Sequence, residues 1–255
     1  MLKNEQIASY QENGYLLVKQ VFTQEEAAVL RQECHTLAER LSAHRDIDAT
    51  WKSARTVVAE AKETKILHCH DVQFYSAAFS RLIVDERLTG VAADLIGRPN
   101  VQLHHTKMFI KPPEKGSPFP MHQDYPFFPH ERQSMMAAII HFDSAPLEKG
   151  CVCVVPGSQK LGPLEHQFED GWYLPPEQYP IESAVACPAE AGDVLFFSYL
   201  TVHGSGLNVS QEARTTLLVQ MRDPSDLPTE QVHLSRGQGM MLRGIDPLAQ
   251  EKAQK

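Results

Sequence analysis

The chain predicts a mainly β protein, an antiparallel sandwich or barrel with helices ahead of it, and three observations carry that prediction. From residue 101 on, short apolar runs separated by Pro- and Gly-bearing turns dominate: VQLHHTKMFI (101–110), MMAAIIHF (135–142), CVCVVPG (151–157), DVLFFS (193–198) and RTTLLVQM (214–221). Before that point the apolar residues recur at helical spacing instead. Seventeen prolines against fourteen glycines suit many short elements with rigid turns and argue against a long-helix bundle. At 255 residues one core is sufficient. The expected organisation is therefore a single domain over 1–255, with a mainly helical part at 1–98, a β core at 99–225 and a C-terminal extension at 226–255.

Taken in order, Asn4 can cap a helix over Glu5–Glu12 that Gly14 ends, and GYLLV (14–18) reads as a buried strand. Thr23-Gln24-Glu25-Glu26 is a capping box, and Ala27, Leu30, Cys34, Leu37, Ala38 and Leu41 follow on one face of a helix reaching about Ser42. Residues 44–65 are mixed and charged, without a period. A further helical stretch is expected over Phe79–Gly97. Within the β region, 162–181 holds Trp172 and Tyr173 and reads as a long ordered loop, either functional or a crossing connection. The segment SRGQGMMLRG (235–244) is expected to pack on the β core.

Composition excludes several classes. A formal net charge of -8 gives no basic surface for nucleic acid. No apolar run approaches the roughly 18–20 residues that span a bilayer. The opening MLKNEQIASYQENG is polar where a secretory signal is apolar, so a cytoplasmic protein is expected. The five cysteines are odd in number and form no C-x-x-C, which speaks against a disulfide framework or a zinc ribbon. In His68-Cys69-His70, neighbours on a strand face opposite ways, so at most two of the three share a metal.

Histidine is the residue type to search, with twelve in the chain. His-x-Asp puts an imidazole and a carboxylate on one side of a strand, and it occurs at His44/Asp46, His122/Asp124 and His141/Asp143. The first pair lies among charges at a helix end and reads as solvated; the last ends an apolar strand and reads as turn chemistry. His122 and Asp124 differ, because they lie between GSPFP (116–120) and the aromatic run Tyr125-Pro126-Phe127-Phe128-Pro129. Polar groups in apolar surroundings need partners, and a metal satisfies both. A later His203, followed eleven residues on by Arg214 at the start of an apolar strand, supplies a third ligand and a fork for a carboxylate. Two histidines and one carboxylate leave positions on iron open for a chelating cosubstrate and dioxygen. The bland alternative is that His203 caps a turn and Arg214 pairs with a surface acid.

Together HQD (122–124), PGSQK (156–160), AGDVLFF (191–197), HGSGLN (203–208) with Arg214, and KPPEKGSPFPMHQDYPFFP (111–129) resemble the phytanoyl-CoA dioxygenase family, over roughly residues 10–225. The resemblance implies a double-stranded β-helix (jelly-roll, cupin-like) core with flanking helices. It implies an Fe(II)- and 2-oxoglutarate-dependent dioxygenase that uses O2, releases succinate and CO2, and hydroxylates or otherwise oxidises an unactivated C–H bond. His122, Asp124 and His203 are then the iron ligands, while Arg214 and Ser205 hold the far carboxylate of 2-oxoglutarate. His105, Lys107 and Phe109 share a face that looks into the pocket in relatives. Lys107 either touches 2-oxoglutarate or reads an acidic group of the substrate, and Phe119 is a further wall candidate. His105, Tyr125, Phe127 and Trp172, with Tyr173, are candidates for substrate contact, and the substrate is a small or medium-sized molecule with an anionic or polar handle. The carboxylate at 124 favours hydroxylation over halogenation, which in the family replaces the acid with a small residue. Two readings from other classes stand beside this one: a non-catalytic metal-binding jelly-roll module, and a cupin-like metal-dependent hydrolase or isomerase.

Overall fold

The computed structural model describes residues 1–51, 64–169 and 171–252. The charged stretch 44–65, for which no element is predicted, therefore lies partly outside the described residues. Helix α1 (Asn4–Asn13) ends at Gly14, whose φ of 77° is the left-handed conformation that glycine adopts without strain. It starts one residue earlier than expected: the extended cap residue is Lys3, whose N–H donates to the Gln6 side chain at 3.0 Å. Strand β1 (Tyr15–Val18) leads to α2 (Gln24–Ser42), where the expected capping box is present, with Glu26 N–H donating to Thr23 Oγ1 and Thr23 N–H to Glu26. The single helix expected over 79–97 is two, α3 (Ala77–Leu82) and α4 (Glu86–Ile96). Asp85 is the reason for the break. Its backbone is extended, and its carboxylate caps the new helix by accepting from Arg87 N–H.

Between and after these helices run the remaining strands: β2 (Leu67–His70), β3 (Val101–Lys111), β4 (Phe119–His122), β5 (Met136–His141), β6 (Val152–Val154), β7 (Gln167–Phe168), β8 (Trp172–Tyr173), β9 (Val185–Cys187), β10 (Val194–Ser198), β11 (His203–Ser205), β12 (Arg214–Arg222) and β13 (Met241–Arg243). They form a seven-stranded sheet in the order β1-β10-β5-β12-β3-β13, with β2 also on β3, and a four-stranded sheet β4-β11-β6-β9. All the pairings are antiparallel. This is the jelly-roll core with flanking helices that the sequence resemblance implies. The loop expected over 162–181 contains the small hairpin β7–β8, and 241–243 joins the large sheet through β3.

Strand alternation divides the core in two. On the outer face of the large sheet, Met136, Ala138, Ile140, Val194, Phe196, Leu217 and Val219 share one cluster with helix residues such as Leu30, Cys34, Phe79, Leu88 and Val91. On the inner face, Ala137, Ile139, Leu195 and Phe197 meet Val152 and Val154 of the small sheet. Strand β3 breaks the alternation. Opposite it, Gln220 pairs with His105 and Met221 with Leu103, so His104 is an extra residue in a β-bulge. The bulge lets Leu103 and Met108, of opposite parity, both enter the outer cluster, and it sets the adjacent rings of His104 and His105 side by side.

Candidate metal and cosubstrate site

The space between the two sheets is a cavity of about 160 Å³, open at its mouth. Strand register brings the first two site residues together, since His203 of β11 lies directly across from His122 of β4, with ring centres 4.3 Å apart. Asp124 arrives differently from the expectation of a shared strand face. Strand β4 ends at His122, and Asp124 sits in a turn held by its own N–H donating to Tyr199 O at 2.9 Å. Its Oδ1 stands 3.8 Å from the Nε2 of each histidine. The three donor atoms lie within 4.8 Å of one another, and all three residues are buried.

Each imidazole is aimed by its far nitrogen. His122 Nδ1 contacts Pro120 O at 2.8 Å and His203 Nδ1 contacts Thr201 O at 2.9 Å, so in both rings the proton sits on Nδ1 and Nε2 is a free lone pair. Burial pushes His122 down to about 3 and His203 to about 4, and the same burial raises the Asp124 carboxyl. Neutral imidazoles and a desolvated carboxylate facing one point lack a counter-charge. A divalent cation of the kind bound by two histidines and an acid supplies it, so the donor set fits a non-haem iron. The middle residue of the motif turns the other way. Gln123 donates to Gly162 O and Leu200 O at 3.0 and 2.7 Å and accepts from Leu164 N–H at 2.8 Å, which pins the turn to the loop beyond it.

At the other end of the cavity lies Arg214, buried at the start of β12 and paired in register with Lys111 of β3. Its guanidinium donates to Gly150 O, while its Nε has no hydrogen-bond partner among the described residues. Desolvation lowers Arg214 to about 10 and carries Lys111 well below the usual lysine range. Lys111 Nζ donates to Ser205 Oγ at 2.8 Å and to Gly206 O at 2.5 Å. Because the Ser205 oxygen accepts from the ammonium, its own O–H is free to donate onward. A buried guanidinium and a hydroxyl oriented by the adjacent Lys111 suit a carboxylate, which fits the far end of 2-oxoglutarate.

Of the remaining sequence candidates, Lys107, Phe119, His105 and Phe127 also line this cavity. Tyr125, Trp172 and Tyr173 do not: Tyr125 packs on Tyr199 at 5.6 Å between ring centres, and Trp172 packs on Phe168 in the β7–β8 hairpin at 4.8 Å. The hairpin accounts for Trp172, whose ring it turns onto Phe168. The His141/Asp143 pair is not turn chemistry on the histidine side, since His141 is fully buried with neither nitrogen bonded among the described residues. Asp143 does hold a turn, accepting from Thr215 N–H at 2.8 Å as well as from Arg31. Sequence reasoning missed Trp51, Lys111, Gln220 and His233. Trp51 stands edge-on to His122 at 5.0 Å, and Gln220 Nε2 donates to Asp124 Oδ2 at 3.4 Å. Period-two counting from Arg214 reaches Gln220 and from His105 reaches Lys111; no local signal marks Trp51 or His233.

The family model for phytanoyl-CoA dioxygenase (PhyH) matches residues 10–216. Peroxisomal phytanoyl-CoA dioxygenase of Bos taurus is 30% identical over 241 residues, which cover 88% of this chain and 69% of the bovine one. A probable alpha-ketoglutarate-dependent hypophosphite dioxygenase of Stutzerimonas stutzeri is 25% identical, covering 84% of this chain and 77% of its own length. Among solved structures, the epimerase SnoN in complex with Fe3+, alpha ketoglutarate and nogalamycin RO is similar with a TM-score of 0.71 at 25% identity, over 94% of this chain and 98% of SnoN.

Proposed function

The chain belongs to the phytanoyl-CoA dioxygenase family and is a non-haem iron(II)- and 2-oxoglutarate-dependent dioxygenase, and from that premise we propose how its own residues divide the work. His122, Asp124 and His203 hold the iron. When bound, the iron with 2-oxoglutarate and O2 supplies the oxidising chemistry, with succinate and CO2 released and a C–H bond of a small or medium-sized substrate oxidised. Arg214 and the Ser205 hydroxyl hold the far carboxylate of 2-oxoglutarate, and Lys111 orients that hydroxyl from behind. Phe109, Phe119, Ile139, Phe197 and Leu218 wall the space between the two ends, which keeps water from the reacting centre. Asp124 keeps a carboxylate among the ligands, which favours hydroxylation over halogenation.

The observation that carries this reading is the pairing of two unsatisfied sets in one cavity, a triad of metal donors at one end and a buried, partly unpartnered arginine at the other. The partner is a small molecule, and the net charge of -8 gives nucleic acid no foothold. No helix among the described residues is long and apolar enough to cross a membrane. The five cysteines are free and buried, which suits a reducing, cytoplasmic compartment.

The test is an anaerobic titration of Fe(II)-loaded protein with 2-oxoglutarate, following the weak visible charge-transfer band of the chelate. A saturable band is expected, and Arg214→Ala should raise the 2-oxoglutarate needed for half-saturation by at least about tenfold, the worth of a charge-assisted fork. No band with iron demonstrably bound would return the chain to a metal-binding module or a hydrolase of the same fold.

A further inference from the structure

Two lysines point from β3 toward the cavity, and the protein treats them differently. His105, Lys107, Phe109 and Lys111 share one face of the strand, beyond the bulge at His104. Lys111 is tied to Ser205 and Gly206 at the Arg214 end. Lys107, about 13 Å further along at the ordinary strand rise, is engaged by no hydrogen bond or ion pair among the described residues. Its ammonium lies 4.9 Å from the centre of the Phe109 ring, and the carboxylate whose field it feels, Asp124, belongs to the metal triad. A cation held in an apolar cavity without its own counter-ion is kept for a ligand.

Beside it stands a wall of imidazoles. The rings of His105 and His233 are 4.6 Å apart, His70 lies 5.6 Å from His233, and His104 and His105 share a contact of 2.8 Å between their Nδ1 atoms. Burial and mutual repulsion keep all four neutral, so the positive charge at this end comes from Lys107, and His105, whose Nδ1 is engaged with His104, offers its Nε2. His233 is the independent observation. It reaches the cavity from the segment after the β core, between exposed neighbours Val232 and Leu234, with its backbone in the left-handed region at φ 50°.

We infer that Lys107 with His105 and His233 forms an oxyanion subsite for the substrate, so that the substrate is an organic acid whose head rests there while its carbon lies against Trp51, Phe127 and Phe128. This rests on the iron and 2-oxoglutarate reading of the same cavity. A diacid cosubstrate anchored at Arg214 and at the triad has both carboxylates engaged, which leaves Lys107 for another anion. A carboxylate and a phosphonate share this chemistry.

The experiment uses anaerobic enzyme loaded with Fe(II) and 2-oxoglutarate, titrated with phenylacetate, benzylphosphonate and the neutral phenylacetamide. Tryptophan fluorescence reports binding, because Trp51 lines the cavity and Trp172 stands outside its walls. At least one anion should bind about tenfold more tightly than the amide, and the tighter of the two anions identifies the head group. Lys107→Met and His233→Ala should each cost the anion about tenfold while changing 2-oxoglutarate half-saturation by less than about twofold. Equal affinities, no binding of any probe at millimolar concentration, or a Lys107→Met enzyme that loses 2-oxoglutarate more than the anion overturns the subsite. Absence of the 2-oxoglutarate band in the unaltered enzyme is a different failure, and it strikes the iron and cosubstrate reading instead.

Discussion

Gln123 and Asp124 are neighbours with opposite duties. Asp124 faces the cavity as one of three donor groups, while Gln123 faces the protein and satisfies two carbonyls and an N–H of the following loops. Among the described residues Gln123 makes no hydrogen bond to the donor atoms, yet it decides where the turn carrying Asp124 lies. Outer partners of metal ligands are typically worth about 10–100-fold in metal affinity. Gln123→Ala is therefore expected to weaken Fe(II) binding by about that factor, measured by competition with a coloured chelator, without removing any ligand. An unchanged affinity would mean that the backbone bonds to Tyr199 O and His166 position the turn without the amide. At this scale the sequence was informative wherever chemistry and spacing coincide, as for His122, Asp124, His203 and Arg214. It was uninformative for Trp51, whose place beside His122 follows from no local pattern.

Among the elements, the short turn before β6 carries more of the site than its length suggests. Gly150 ends it at φ 65°, and a Cβ there would fall 2.3 Å from Gly206 O and 2.8 Å from Leu207 O. The Gly150 carbonyl is also the acceptor of Arg214. Gly150→Ala must push the turn off the loop after β11 or force a left-handed alanine, and either displaces the carbonyl that aims the guanidinium. The expected result is a higher 2-oxoglutarate half-saturation together with a lower urea midpoint. A variant that lost stability alone would separate the turn from Arg214. The bulge at His104 is the other element-scale feature. One extra residue in β3 flips the strand's parity, so alternation counted from either end of VQLHHTKMFI gives a correct half and an incorrect half. Counting from Lys107 gave the right pocket face, and no residue type in the run marks the bulge itself.

For the whole molecule, the burial of histidines sets the response to acid. His104 and His141 are pushed down to about 3 and about 4, and His105 well below its usual value, chiefly by desolvation. Unfolded, each takes up a proton near pH 6.5; folded, it does not until far lower. The unfolded state therefore binds more protons in that window, and stability falls as pH drops from about 6.5 toward 4, at roughly 1 kcal/mol per pH unit for each residue. Urea midpoints of the iron-free protein should be clearly lower at pH 5 than at pH 7; equal midpoints would mean that these imidazoles are already charged in the fold. What the sequence determined by itself was what repeats or reacts locally: helix caps, strand alternation, and donor types at close spacing. The break at Asp85, the arrival of Asp124 on a turn, the withdrawal of Trp172 into a hairpin and the gathering of His70, His104, His105 and His233 were decided only by tertiary structure. The physical reason is that these depend on which distant backbones lie in register, and strand pairing across a hundred residues leaves no mark on the spacing of neighbours in the chain.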